Sequence, residues 1–525
     1  MANKKNSFFS NLKSDIPAGL VVYLVALPLC LGVALASTKS PDLLFAGVIA
    51  GVVGGIVVGS LSGSALGVSG PAAGLVVIVL NAITSLGSFE SFLLAVVLAG
   101  VIQLIAGFLK AGIIGYYFPS SVIKGMLAAI GITLILKEIP HALGYDADFM
   151  GDESFIQTDG QNTISEIWLA IKYNSTGAII ITAISLGLLW LFDRPFMKKI
   201  GLFKFLPGAL FVVCFGILIN FIFKWTNSGL ALSGDHLVQL PVASSVGEFF
   251  SFFRFPDFSA ISNPDVYVVA ITLAIVASLE SLLSVEATDK LDFEKRNTPT
   301  NRELKAQGIG NIVSGLLGGL PITQVIVRSS ANINAGGKSK TATIIHGTIL
   351  FISVVTIPVF LNLIPLACLA AILLMVGYKL SKLSLYKSMY KLGWDQFIPF
   401  MVTIVAILFT DLLKGIGIGM ALAVFFILKK NYQHSYYQKR ESSSDGNEII
   451  TLKLSEEVTF LNKASIQDKL DHIPNGSKVI IDGSKSVNID YDVLEIIQDF
   501  RDHGALQRNI TVETIGIKEV HVMGH

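Results

Sequence analysis

The sequence predicts a polytopic α-helical membrane protein of about 14 spans, followed by a small α/β domain. Three observations predict it. Of 525 residues, 52% are hydrophobic and 15% charged, with a mean hydropathy of +0.66, whereas soluble domains average about 25% charged residues. Apolar runs recur from Ile16 to Leu428, many of them near the ~20 residues that cross about 30 Å of hydrocarbon. After Tyr432 the chain turns polar and alternates strand with helix patterns.

Composition also excludes functions. The formal net charge is +1, so no global basic field points to nucleic acid. Cys30, Cys214 and Cys368 lie in apolar runs and have neither zinc nor disulfide spacing; they read as packing residues. No nucleophile–base pair or metal spacing supports an enzyme, and no cofactor is expected. The run after Asp15 is long, contains Pro28 and has no clean cleavage site, so it reads as the first span rather than a signal peptide.

The first seven apolar segments lie near 15–37, 43–60, 71–85, 91–109, 119–138, 176–192 and 206–224. The other seven lie near 265–286, 302–317, 322–334, 341–360, 364–380, 396–411 and 413–429. Positive residues gather on the cytoplasmic side of short loops. With the N-terminus inside, the inner stretches hold Lys4, Lys5, Lys198, Lys199, Arg296 and Lys387. The loop from His141 to Tyr173, with Asp146, Asp148, Asp152, Glu153 and Asp159, falls outside. Both termini are therefore expected in the cytoplasm, and the chain in the plasma (inner) membrane. The expected domains are 1–432 in the membrane, a polar linker over 433–446 ("QKRESSSDGNE"), and a soluble domain over 447–525. In the last, "IITLKL", "EVTFLN", "SKVIIDGS" and "NITVETIGI" read as strands. "KASIQDKLDHI" and "DYDVLEIIQDFRDHG" read as helices.

Two segments are short. Both 71–85 and 322–334 start at a proline after a glycine-rich lead-in, "GSALGVSGP" and "GLLGGLP". They are the third and tenth segments, seven apart, so each is the third member of a seven-span half. A matched pair of interrupted segments points to a transporter binding site. Proline suits a first helical turn, and the free N–H groups and dipole of that turn attract an anion.

Two charges sit deep in apolar sequence: Glu280 in "ASLESLLSVEA" and Arg328 in "ITQVIVRSSANI". Intramembrane charges usually face a cavity or a partner. Ser284 shares a helical face with Glu280. Together they suit a hard cation such as Na⁺, or Glu280 alone takes up a proton. Arg328 either sets a positive field for an anion or neutralises Glu280. The hydroxyls of Ser69 and Thr323, the latter expected to open the tenth helix, either touch substrate or bond their own backbone. His346 in "TATIIHGTI" reads as a packed histidine, with a proton site as the alternative.

Five stretches resemble the sulfate permease (SulP) family of inorganic anion transporters: "DIPAGLVVYLVALPLCLGVALA", "GVSGPAAGL", "ASLESLLS", "GGLPIT…VRSSANI" and the tail "VIIDGSKSVNIDYDVLEII", which is similar to a STAS domain. The resemblance implies a seven-plus-seven inverted repeat, a core moving against a gate, a cytoplasmic STAS-like domain and a homodimer. It places substrate beside Pro28 and Leu29 of the first span and Gly70, Pro71, Ala72 and Ala73 of the third. Glu280 and Ser284 of the eighth and Thr323, Gln324, Val325, Ile326 and Arg328 of the tenth complete the pocket. Many members have glutamine at Leu29, threonine at Ala72 and Gly-Ser-Phe-Ser at Gln324–Val327. This pocket is therefore expected to rely on backbone N–H groups, Gln324 and Arg328.

The expected function is secondary active transport of a small inorganic anion, bicarbonate or sulfate, by alternating access, coupled to Na⁺ or H⁺ through Glu280 and Ser284. The acidic residue followed by a hydroxyl is similar to the cation site of sodium-coupled bicarbonate members. The alternatives are a nucleobase/proton permease of the same general fold and a passive anion channel.

Overall fold

The computed structural model describes residues 11–150, 155–156, 160–194, 207–243, 245–433, 436–442 and 448–519. Lys4, Lys5, Lys198, Lys199, Asp152, Glu153, Asp159 and residues 443–446 lie outside them. The chain forms two compact units, Met1–Met420 and Ala421–His525.

The first unit is helical. It runs through α1 (Leu12–Thr38), α2 (Leu44–Val53, continued by a π turn at Gly54–Val58), the short strand β1 (Ser69–Pro71) and α3 (Val76–Leu86). Next come α4 (Phe89–Phe108), α5 (Ser120–Leu143), α6 (Thr163–Lys172), α7 (Thr176–Phe192) and α8 (Gly208–Trp225). The second half holds α9 (Pro264–Leu291), α10 (Thr300–Leu317), strand β2 (Ile322–Gln324), α11 (Ile326–Asn334) and α12 (Thr341–Thr356). It ends with α13 (Leu366–Leu380), α14 (Trp394–Phe409) and the start of α15 (Leu412–Gln433), which continues past Met420 into the second unit. Local chemistry sets several boundaries. Ser88 caps α4 by accepting from Ser91 N–H. Asn263 and Pro264 start α9. Gly318, at φ 87°, ends α10 and turns the chain toward β2.

Every expected apolar segment contains helix. Among the described residues seven helices are long and apolar enough to cross a membrane alone, or eight if α6 and α7, bent by 112°, form one span. The others fall short for identifiable reasons. α5 carries Lys124, Lys137 and Glu138, α10 is polar along one face, and α3 and α11 are short.

Packing divides these helices into two groups. α4 packs on α9 and α10, and α1 packs on α2, α11 and α12. Separately, α5 packs on α13 and α14, and α7 on α8 and α13. The α4–α10 crossing needs glycine: a Cβ on Gly100 would sit 2.6 Å from Gly308 O, and one on Gly308 2.7 Å from Gly100 O.

The two interrupted segments differ locally from expectation. Neither proline opens a helix. Pro71 ends β1, and a 3₁₀ turn at Ala73–Leu75 precedes α3. Pro321 precedes β2, and α11 starts only at Ile326, so Thr323 lies in the strand and not at the helix start. The reason is long-range. β1 and β2 pair antiparallel, Ser69 with Gln324, Gly70 with Thr323 and Pro71 with Ile322. Extended pairing satisfies backbone groups that a longer helix would otherwise hold.

The second unit holds a four-stranded sheet ordered β3 (Tyr436–Ser442), β4 (Glu448–Leu454), β6 (Lys478–Asp482), β8 (Thr511–Ile515). The β3–β4 pair is antiparallel and the other two are parallel. Part of the expected linker is thus a strand. α16 (Lys463–Asp471) and α17 (Tyr491–Asp499) accompany the sheet. Ile450, Leu452, Val479, Ile481, Val493 and Ile497 fill one core. "EVTFLN" is strand only at β5 (Glu457–Val458), which pairs with β7 (Asn488–Ile489). A capping box between Thr459 and Asn462 then turns the chain into a 3₁₀ helix.

Candidate functional site

The β1–β2 ribbon has two faces, because successive strand residues point to opposite sides. Ser69, Gln324, Pro71 and Ile322 share one face, and Gly70 and Thr323 the other.

The first face is anchored. Gln307 Nε2 of α10 donates to Ser69 Oγ at 2.8 Å and to Glu303 Oε1 at 2.8 Å. Ser62 Oγ donates to Glu303 Oε2. Gln324 Nε2 donates to Thr288 Oγ1 of α9 at 3.0 Å, and Gln324 N–H to Ser281 Oγ at 3.2 Å. At the ribbon edge Asn311 Nδ2 donates to Ile322 O at 3.0 Å, while Ile322 N–H donates to Asn311 Oδ1 at 2.6 Å. Glu303, Gln307 and Asn311 therefore form a polar spine at four-residue spacing on one face of α10. Sequence reasoning missed it. The spacing was readable in "NRELKAQGIGNIVSGLL", but its partner strand was not.

The second face carries charge. A Cβ added at Gly70 would clash with Arg328 Nη1 and lie 3.1 Å from Cζ. Only glycine lets the guanidinium lie there. Arg328 is 1% exposed, and its Nη2 donates to Pro71 O at 3.4 Å. Its Nε and Nη1 have no hydrogen-bond partner among the described residues, so neither bonds a carboxylate. Thr323 Oγ1, paired across from Gly70, is also buried without a partner. Val325 N–H donates to Val68 O at 2.9 Å. The first α11 amides, Ile326 to Arg328, have no intrahelical acceptor. This face is thus a dry surface of donors around one fixed positive charge.

The remaining predicted residues border it. A Cβ at Gly74 would lie 3.0 Å from Glu280 Oε1, which puts the Glu280 carboxylate at the turn opening α3, beside Ala73. Ser284 is one turn further along α9 and also buried. Ala72 and Ile326 are buried and Val325 is half-buried around the ribbon. In α1, Leu29 is buried, and the adjacent Cys30 thiol lies within electrostatic reach of Arg328. Gln324, expected to face substrate, donates through Nε2 to Thr288, and its Oε1 has no partner among the described residues.

Cavities approach from opposite ends of α1. One, about 310 Å³, is lined by Pro28, Leu31 and Gly32 together with Asp146 and Asp235. Another, about 480 Å³, is lined by Pro17 and Val21 with Ala331 and Asn334 of α11. Ala73 and Gly74 border a third of about 560 Å³.

At the first cavity, Asp146 joins two histidines. Oδ1 bonds His141 Nδ1 at 2.6 Å and Oδ2 bonds His236 Nδ1 at 2.6 Å. Burial works against the Asp146 carboxylate, but the bonds from His141 and His236 hold it below the usual carboxylate range. The bond to Asp146 raises His236 above the ordinary histidine value.

The family model for the sulfate permease family matches residues 12–406. The chain is 28% identical over 431 residues to "Putative sulfate transporter YvdB" of Bacillus subtilis strain 168, covering 82% of this chain and 76% of that one. It is 26% identical over 457 residues to the bicarbonate transporter BicA of Picosynechococcus, covering 85% and 75%. Among solved structures, the transmembrane domain of a cyanobacterium BicA has a TM-score of 0.54 at 22% identity, covering 79% of this chain and 98% of that one. The murine Solute Carrier 26 family member A9 anion transporter, in the inward-facing state, has a TM-score of 0.65 at 16% identity, covering 96% and 85%. The structural likenesses share the fold, and the match over most of the length settles the kinship: the chain belongs to the sulfate permease family.

Proposed function

We propose that the chain is a secondary active transporter of a small inorganic anion, bicarbonate or sulfate, working by alternating access. The observation that carries this reading is the Gly70–Thr323 face of the ribbon, where Arg328 Nε and Nη1 and Thr323 Oγ1 are buried without partners. Buried donors left unmade are costly, and an anion oxygen would satisfy them. The relatives' names, a sulfate transporter and a bicarbonate transporter, supply the two candidate anions.

In this reading the group around α1, α4 and α9–α12 is the core, and the group around α5, α7, α8, α13 and α14 is the gate. Rocking between them would open the cavities at the two ends of α1 in turn. Pro28, Leu29, Ala72, Ala73, Val325 and Ile326 shape the apolar wall, and Gln324 holds the ribbon through Thr288. Glu280 and Ser284 carry coupling to Na⁺ or H⁺. The protein sits in the plasma membrane as a homodimer, with both termini and the STAS-like second unit in the cytoplasm.

Proteoliposome uptake of labelled bicarbonate and sulfate, with and without a sodium gradient, tests the reading. Gradient-driven accumulation of either anion is expected, and Glu280→Gln removes cation stimulation while anion binding persists. Equilibration without accumulation would favour a passive channel. Uptake of labelled uracil in place of either anion would favour a nucleobase permease.

A further inference from the structure

His346 of α12 is fully buried, and neither ring nitrogen has a hydrogen-bond partner among the described residues. Its place is fixed by its neighbours on the same helical face. One turn earlier, Thr343 Oγ1 donates to Gly67 O at 3.0 Å, in the lead-in to β1. One turn later, Leu350 points to Gly51, and the Cys30 thiol of α1 points there too. His346 therefore lies between the ribbon lead-in and Cys30, and both His346 and Cys30 are within electrostatic reach of Arg328. The titratable groups around it are few. Arg328 comes from α11 and Cys30 from α1, the π turn at Gly54–Val58 brings none, and Tyr23 of α1 lies at Ser353, two turns away along α12.

Two side chains within electrostatic reach of each other thus bury four nitrogens without partners among the described residues, Nε and Nη1 of Arg328 and both ring nitrogens of His346. A single anion between them would accept from the Arg328 donors and from one ring N–H of His346. Two positive charges in one dry site repel, and a bound anion removes that repulsion.

We propose that His346 is a proton-switchable ligand of the anion held by Arg328, so that a dianion such as sulfate enters together with one proton on His346, whereas a monoanion such as bicarbonate enters without it. The proton comes from water and returns to it when the anion leaves. This rests on the anion cradle proposed above. Neutral His346 leaves one fixed positive charge, which matches a monoanion; protonated His346 gives two, which match a dianion.

The test is calorimetric titration of the full-length protein with sulfate and with bicarbonate, between about pH 6 and 9, in buffers of different ionisation enthalpy. Wild type is expected to take up about one proton per sulfate and to lose sulfate affinity up to about tenfold per pH unit on the alkaline side. His346→Gln should bind sulfate weakly with no pH slope and keep bicarbonate binding. An unchanged slope in His346→Gln, no proton uptake by wild type, or no sulfate binding at any pH overturns the proposal. If His346→Gln does not fold, the wild-type proton count decides alone. Arg328→Ala separates the two levels. Normal binding of both anions there sinks the cradle itself, whereas lost binding there beside an unchanged slope in His346→Gln sinks only the role of His346.

Discussion

The two faces of the β1–β2 ribbon are built from alternate residues of the same six and are treated oppositely. On one face, Ser69 and Gln324 are tied to α10 and α9 by Gln307 and Thr288. On the other, Thr323 and Arg328 keep buried donors with no protein partner. Burial is the same on both, so burial does not mark function here. The kind of open group does: the first face is closed for its donors and leaves only the acceptors Oε1 of Gln307 and Gln324 without partners, whereas the second is left open with buried donors, which suit an anion.

Substitutions can break that comparison. The largest effect is expected for Gly70→Leu. Its side chain takes the space of the Arg328 guanidinium, so anion uptake should fall by about a hundredfold or more, with the protein still folded. Normal uptake would mean that Arg328 does not work from this face. Next is Asn311→Ala on the closed side. It strips both bonds at Ile322 and should cost about 2–3 kcal/mol of stability, read as a lower thermal midpoint that sodium or anion does not restore selectively. Thr323→Ala should weaken anion binding by roughly tenfold, the value of one hydrogen bond to a charged group, while the melting temperature stays near wild type. Thr323→Ser should recover most of it. A stability loss in Thr323→Ala with unchanged binding would reverse the assignment of the faces.

The smallest effect is at the cavity beside Asp146. His236 is raised by its bond to Asp146, so its contribution is full below the ordinary histidine value and fades as pH rises through the raised one. Asp146 is lowered, so its contribution is present above the ordinary carboxylate value and fades only as pH falls through the lowered one. The loop is therefore held best between roughly pH 4 and 6.5. The melting temperatures of wild type and His236→Asn should differ most there and converge on the alkaline side. A constant difference across pH would contradict the linkage.

Much of this was legible in the sequence, and the rest was not for physical reasons. The pair of short segments, their spacing and the two intramembrane charges follow from hydropathy and punctuation, and helices stand at every expected segment. The prolines were misread because local pattern favours Pro at a helix start, whereas pairing of residues 69–71 with 322–324 is a contact across some 250 positions. The same distance hid the spine of α10: Glu303, Gln307 and Asn311 read in the sequence only as part of the apolar segment 302–317, and their partners Ser62, Ser69 and Ile322 show what they do. His346 was read as packed, and it is; what the sequence lacked was its position beside Arg328. In the second unit, the strand at Tyr436–Ser442 hid behind a polar composition because β3 is largely exposed.

The central claim is that the open face binds the anion and the closed face holds the ribbon. The most direct measurement is labelled bicarbonate and sulfate uptake by proteoliposomes carrying wild type, Arg328→Ala or Ser69→Ala, at matched amounts of folded protein. Loss of uptake in Arg328→Ala, with uptake per folded molecule retained in Ser69→Ala, is the predicted result. Retained uptake in Arg328→Ala, or equal loss in both, would contradict it.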